Sequence, residues 1–101
     1  MKHVLQVITI LFVAFQLQAQ QMNISGVVTA ASDGLPLPGV NVVIKGTSNG
    51  TQTDFDGKYS IKAQKGDIIV FSYIGMKTLK KKVKGSNIIN VAIQPWIAVF
   101  N

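Results

Sequence analysis

The sequence has no cysteine, no arginine and no glutamate, and its one histidine, His3, stands close to the start. Without cysteine there is no disulfide, no thiolate nucleophile and no cysteine-ligated zinc. Without glutamate there is no paired Glu acid and base. A Ser-His-Asp triad, a Cys-His pair and a histidine zinc site all depend on His3, which falls inside a stretch with the marks of a cleaved leader. Ser-Lys or Asp-only chemistry remains, and neither has a recognisable motif here. The residue census points away from an enzyme and requires no cofactor.

What the chain has instead is lysine: ten of them against four aspartates, a net charge of +6. Residues 1–19 read as a secretory signal. Lys2 supplies the positive start, residues 4–15 are mostly apolar apart from Gln6 and Thr9, and Leu17-Gln18-Ala19 ends on a small residue. A membrane anchor or a buried helix is the alternative, but the run falls short of the ~20 residues that span a bilayer. The missing cysteine also excludes a lipid-modified N-terminus. The expectation is export. Cleavage leaves residues 20–101, one small domain with nine lysines against four aspartates. Its stability should be on the order of 5 kcal/mol. A basic surface suits nucleic acid or an anionic partner. Export sets nucleic acid aside and leaves solubility or an anionic partner surface.

The remaining chain alternates short apolar stretches with turn residues. Val40, Val42 and Ile44 alternate with Asn41, Val43 and Lys45, the period of a strand with one buried face. Seven strands are predicted, over residues 24–29, 39–45, 51–53, 58–62, 68–73, 78–83 and 87–93. Gly46, Asn49-Gly50, Asp56-Gly57, Lys65-Gly66-Asp67 and Gly85-Ser86 punctuate them. In the fourth strand Tyr59 and Ile61 share one face, which predicts that both are core. The fifth, Ile68-Ile69-Val70-Phe71-Ser72-Tyr73, is nearly continuous in apolar residues, so period alone does not say which face is inside. Many short strands with frequent turns point to an all-β sandwich or small barrel.

Pro36-Leu37-Pro38-Gly39-Val40-Asn41-Val42, then Lys45-Gly46-Thr47, then Asn49-Gly50-Thr51 and Thr53-Asp54-Phe55-Asp56-Gly57-Lys58-Tyr59-Ser60-Ile61, then Val70-Phe71-Ser72-Tyr73-Ile74-Gly75 follow in order. This series resembles the carboxypeptidase-D regulatory-like domain, in the version at the N-terminus of SusC-like, TonB-dependent outer-membrane receptors. The resemblance implies a seven-stranded, Greek-key, transthyretin-like β-sandwich over residues 23–94. It implies no catalysis, since the name comes from an accessory domain of the peptidases and not from their zinc site. Residues 95–101 depart from the pattern. The receptors continue through an acidic linker into a TonB box, a plug and a barrel, whereas Pro95-Trp96-Ile97-Ala98-Val99-Phe100-Asn101 is uncharged and mostly apolar. Such a tail either packs across an open sheet edge or is the out-of-frame remnant of a receptor gene. The expectation is a truncated or stand-alone form, to which the energy-coupling role is not carried over.

Two clusters invite a functional reading. Asp54-Phe55-Asp56-Gly57 echoes the opening of an EF-hand, but the twelfth position counted from Asp54 is Lys65, where that loop needs a bidentate glutamate. The simpler expectation is structural: Asp56-Gly57 supplies the left-handed backbone of a tight hairpin and Asp54 accepts backbone hydrogen bonds. No metal is expected. Lys77, Lys80, Lys82 and Lys84, with Lys81, form the densest charge run. They read either as an anionic contact surface or as a solvated edge strand whose lysines discourage edge-to-edge pairing. Asn23-Ile24-Ser25 and Asn49-Gly50-Thr51 match the glycosylation pattern by chance in a chain resembling a bacterial family.

The function expected is a non-enzymatic accessory domain of an outer-membrane nutrient receptor, with a protein partner in the periplasm or outer membrane. No nucleic acid or small-molecule substrate is expected, and membrane association would come only through a parent receptor. The alternative is an independent exported adhesion or carbohydrate-binding sandwich. A sugar platform wants several aromatics on one loop face, whereas only Trp96, Phe55 and Tyr73 are candidates.

Overall fold

A computed structural model of the protein describes residues 21–96. The leader read over residues 1–19 and the end of the tail, residues 97–101, lie outside the described residues. Seven strands form: β1 (Met22–Ala30), β2 (Asn41–Ile44), β3 (Gly50–Gln52), β4 (Lys58–Ala63), β5 (Ile68–Ser72), β6 (Leu79–Lys82) and β7 (Val91–Ile93). They make two sheets, ordered β4-β1-β7 and β3-β2-β5-β6. Every pairing is antiparallel except β1 with β7. There is no helix among the described residues. This is the all-β sandwich that the strand pattern predicts.

The core lies between the sheets and follows side-chain parity. In β4, Tyr59, Ile61 and Ala63 are buried while Lys58, Ser60 and Lys62 are exposed. In β5, Ile69 and Phe71 are completely buried, whereas Ile68, Val70 and Ser72 are half-buried on the outer face. That settles the face which the apolar run leaves open. β5 sits between β2 and β6, so even its outward side chains are partly covered. The Tyr59 and Phe71 rings meet edge to face across the two sheets, with centroids 5.3 Å apart. Ile24 and Val28 of β1, Val42 of β2 and Ile93 of β7 complete the centre. Each such side chain stabilises the fold by about 1.5–3 kcal/mol on burial.

Four strands, β2, β5, β6 and β7, are shorter than predicted, and the two that lose most, β2 and β7, do so for identifiable reasons. Residues 39 and 40 are drawn out of β2 by Thr53: its backbone carbonyl accepts from Gly39 and its hydroxyl from Val40. The strand predicted over 87–93 is interrupted at Asn90. Ser25 still pairs around Ile88, receiving at its carbonyl the N–H of Ile89 and donating to Asn87. The Val27 N–H then goes to the Asn90 side-chain oxygen at 2.9 Å in place of a backbone carbonyl. Regular pairing resumes at Val28 and Val91.

The turn at residues 54–57 departs from expectation. β3 pairs with β2 and β4 pairs with β1, so this turn joins two strands in different sheets and is not a hairpin. Its left-handed residue is Gly57, at φ 73°. A Cβ there would approach the Val28 carbonyl oxygen to 2.6 Å, so the close passage of β1 as well as φ requires glycine.

Candidate functional site

Lys80, Lys81 and Lys82 lie in β6, the last strand of the four-stranded sheet, with Lys77 just before it and Lys84 just after. All five are exposed. Lys80 and Lys82 stand opposite Val70 and Ile68 on the outer face. Lys81 has the parity of Leu79 and Val83, and it pairs with the fully buried Ile69. It remains solvated because no strand lies beyond β6 in its sheet. Leu79 and Val83 anchor the strand to the core, half-buried and buried respectively.

β7 is also the last strand of its own sheet, so one side of the sandwich shows two strand edges. At one end they are tied: the Lys77 N–H donates to the Gln94 carbonyl at 2.8 Å, and Met76 bridges to Pro95. Further along they part, leaving an open groove of about 480 Å³. Its walls are Lys80, Lys81, Lys82 and Lys84 on one side and Ser86, Ile88, Ile89 and Asn90 on the other. No acidic side chain lines it.

The second wall is fixed by its neighbours. The Ser86 hydroxyl donates to the Ile88 carbonyl and accepts from the Ile88 N–H, closing a small turn. The Tyr59 hydroxyl donates to the Ile89 carbonyl at 2.6 Å. Burial pushes the Tyr59 phenol up to about 12 from 10.0, so at neutral pH it is a donor. These contributions of Tyr59 and Asn90 were missed from sequence. The available signal was Gly26 within β1, since an isolated glycine in a strand marks close backbone approach. A Cβ on Gly26 would collide with the Ile89 carbonyl.

The second sequence cluster is occupied by its own backbone. One Asp54 carboxylate oxygen accepts from the N–H groups of Asp56 and Lys58, both at 2.9 Å. Lys65 lies in a separate turn between β4 and β5, where the Asp67 carboxylate accepts from the Gln64 N–H. No group of three His, Cys, Asp or Glu side chains suited to a metal occurs among the described residues. Of the two glycosylation matches, Asn23 lies in β1 and the Asn49 amide donates to the Lys62 carbonyl.

A third grouping comes only from the fold. Asn41 pairs with both Gln52 and Ser72, so the loops before β2 and after β3 and β5 leave the sandwich at one end. Residues 94–96 join them there, and the Trp96 N–H donates to the Gly75 carbonyl. Phe55, Tyr73 and Trp96 are therefore brought to one pole, with Leu35 and Ile74, and all five side chains are exposed.

The matches to known proteins agree with this architecture. A CarboxypepD_reg-like domain model matches residues 24–95. TonB-dependent receptor P3 of Formosa agariphila is 42% identical over 86 residues, covering 84% of this chain and 9% of the receptor. TonB-dependent receptor P39 of the same organism is 43% identical over 75 residues, covering 73% and 7%. TonB-dependent receptor SusC of Bacteroides thetaiotaomicron is 46% identical over 74 residues, again 73% of this chain and 7% of the receptor. The chain thus spans less than a tenth of the length of these relatives. It belongs to the CarboxypepD_reg-like domain family, in the form shared with TonB-dependent receptors.

Proposed function

We propose that this domain is a non-enzymatic docking module of the TonB-dependent receptor system, exported to the periplasmic face of the outer membrane, where it contacts a protein partner through the lysine-bearing edge of β6. One observation carries the reading: Lys77, Lys80, Lys82 and Lys84 are exposed along a strand edge and beside a groove without a single carboxylate. A cationic edge of this kind attracts an anionic surface and does so less strongly as salt rises. The family supports the absence of catalysis, being a regulatory-like domain found in receptors. The groove itself offers lysine amines, the Asn90 amide and a Ser86 hydroxyl held by the Ile88 backbone, but no carboxylate, imidazole or thiol as a base.

A chimeric receptor tests the reading. Residues 24–95 replace the matching segment of the SusC relative, once unchanged and once with Lys77, Lys80, Lys82 and Lys84 all changed to Glu. Uptake supported by the first and reduced at least severalfold in the second, at equal receptor abundance, is expected. Equal uptake by both would remove the lysine edge from the function.

The gathering of Phe55, Tyr73 and Trp96 at one pole favours a second reading, a carbohydrate-binding module. Trp96 is the sole tryptophan, so its fluorescence reports on that pole alone. Saturable changes on titration with oligosaccharides would favour this reading over docking at β6.

A further inference from the structure

We propose that the free edge of β6 accepts an extended segment of a partner protein as an added strand, and that this segment alternates acidic with apolar residues. The inference rests on the docking reading above and specifies the partner's chemistry.

The backbone of β6 sets the geometry. The Val83 N–H donates to the Asp67 carbonyl at 2.7 Å, and the Val83 carbonyl accepts from Gly66 at 2.8 Å. Val83 therefore faces β5, and in an antiparallel ladder alternate residues face the same neighbour. Leu79 and Lys81 accordingly bond to Phe71 and Ile69, their partners in register. The N–H and C=O groups of Lys80 and Lys82 point the other way, in a row about 7 Å apart. No described strand pairs with that side of β6. An edge of unpaired backbone groups is a template for another strand, and main-chain bonds then supply affinity while alternate side chains supply selectivity.

The side chains decide which strand fits. A second copy of β6 would set lysines against lysines, and like charges directly opposite are destabilising. An acidic strand reverses that sign. On the outer face, Lys80 and Lys82 would meet the carboxylates of residues directly across from them. On the inner face the added strand would overhang the groove, where Ile88 is 61% exposed, Ile89 is half-buried beside it and Lys81 stands on the β6 side. Apolar side chains of the incoming strand would cover that wall. Because side chains alternate along a strand, one partner segment satisfies both faces only if acidic and apolar residues alternate.

The experiment uses the exported protein and three capped ten-residue peptides: alternating Glu-Val, and the same peptide N-methylated either at every Glu or at every Val. Amide hydrogen exchange is followed by NMR during titration. The unmethylated peptide should slow exchange at Lys80 and Lys82 by at least tenfold and leave Lys81 unchanged. One methylated peptide should lose at least tenfold in affinity while the other binds. Loss at Glu marks antiparallel addition and loss at Val marks parallel addition, because opposite sets of N–H groups then face β6. In the Lys80→Glu, Lys82→Glu variant, preference should switch to a Lys-Val peptide.

Equal affinity of the two methylated peptides would overturn strand addition. If both then still bind in a lysine-dependent way, the docking reading survives as plain charge attraction. No binding of the Glu-Val peptide also overturns the inference. Whether the docking reading falls with it is decided separately by the charge-reversed chimera.

Discussion

The Tyr59 hydroxyl donates a 2.6 Å hydrogen bond to the Ile89 carbonyl, linking a core residue of β4 to the wall of the groove. The ring of the same tyrosine meets Phe71 edge to face, so one side chain spans from the inter-sheet core to the surface segment. The bond also coincides with the break in the pairing of β1 with the segment leading into β7. With the Ile89 carbonyl engaged by Tyr59, the Val27 N–H finds the Asn90 side chain. Tyr59→Phe keeps the ring and strands that carbonyl, at a cost of about 1–3 kcal/mol. The loss should appear as a lower urea midpoint and as faster amide exchange across residues 86–90.

Tyr59 also makes stability fall at high pH. Its phenol is raised in the folded state to about 12 from 10.0. Between those values the unfolded chain has released the proton and the folded chain retains it, so stability decreases as pH rises. The contribution is complete below pH 10 and is lost through about pH 12. Urea midpoints measured from pH 8 upward should fall more steeply for the wild type than for Tyr59→Phe. Parallel curves would show that the phenol ionises alike in both states.

Gly26 and Gly85 predict unequal responses to the same change. A Cβ on Gly26 would sit 2.6 Å from the Ile89 carbonyl carbon, closer than real Cβ atoms come, and the obstacle is backbone. Gly26→Ala should therefore cost about 1–3 kcal/mol by overpacking. Nothing lies within 4 Å of a Cβ on Gly85, so Gly85→Ala should stay within about 0.5 kcal/mol of wild type. Thermal melts of the two variants side by side make the comparison.

Thr53 is the one buried polar residue among those described, and it ties the loop before β2 to the end of β3. Its hydroxyl accepts from the Val40 N–H at 2.9 Å and donates to the Leu37 carbonyl at 2.6 Å. Thr53→Val leaves both groups without that partner and should cost about 1–3 kcal/mol, whereas Thr53→Ser keeps both bonds and should recover most of the loss. Chemical denaturation of the pair separates lost hydrogen bonding from lost packing.

These positions show which features were legible in sequence. The alternation at Tyr59 and Ile61 named the core face of β4, because a period of two is a local property that burial then obeys. The run of lysines likewise marked β6 as a strand that could lie at an edge. Sheet membership was less accessible. Asp54 to Gly57 has hairpin composition, yet it crosses between sheets, because the partners of β3 and β4 are chosen by distant residues. The interruption at Asn90 was hidden for a similar reason: it depends on Gly26 and Tyr59 arriving from other strands. The pole of Phe55, Tyr73 and Trp96 joins residues far apart in the chain, and only the shared end of β2, β3 and β5 brings them together.

The same crossing turn gives a prediction that separates structure from metal binding. One Asp54 oxygen serves two N–H groups, those of Asp56 and Lys58, and the Asp54 N–H itself donates to the Lys58 carbonyl. The carboxylate thus shapes the passage from one sheet to the other. Asp54→Ala removes both side-chain bonds, each to a charged acceptor, and should cost about 1.5–3 kcal/mol. Asp54→Asn retains an acceptor oxygen without the charge and should cost less. Asp56 is exposed, and Asp56→Asn should change stability by less than about 0.5 kcal/mol. Calcium supplies the contrasting arm, since a cation held by this turn would stabilise the folded state in proportion to its concentration. Melting the wild type with and without millimolar calcium should give one and the same midpoint. A midpoint that climbs with calcium, and climbs less in Asp56→Asn, would show that the turn binds the ion.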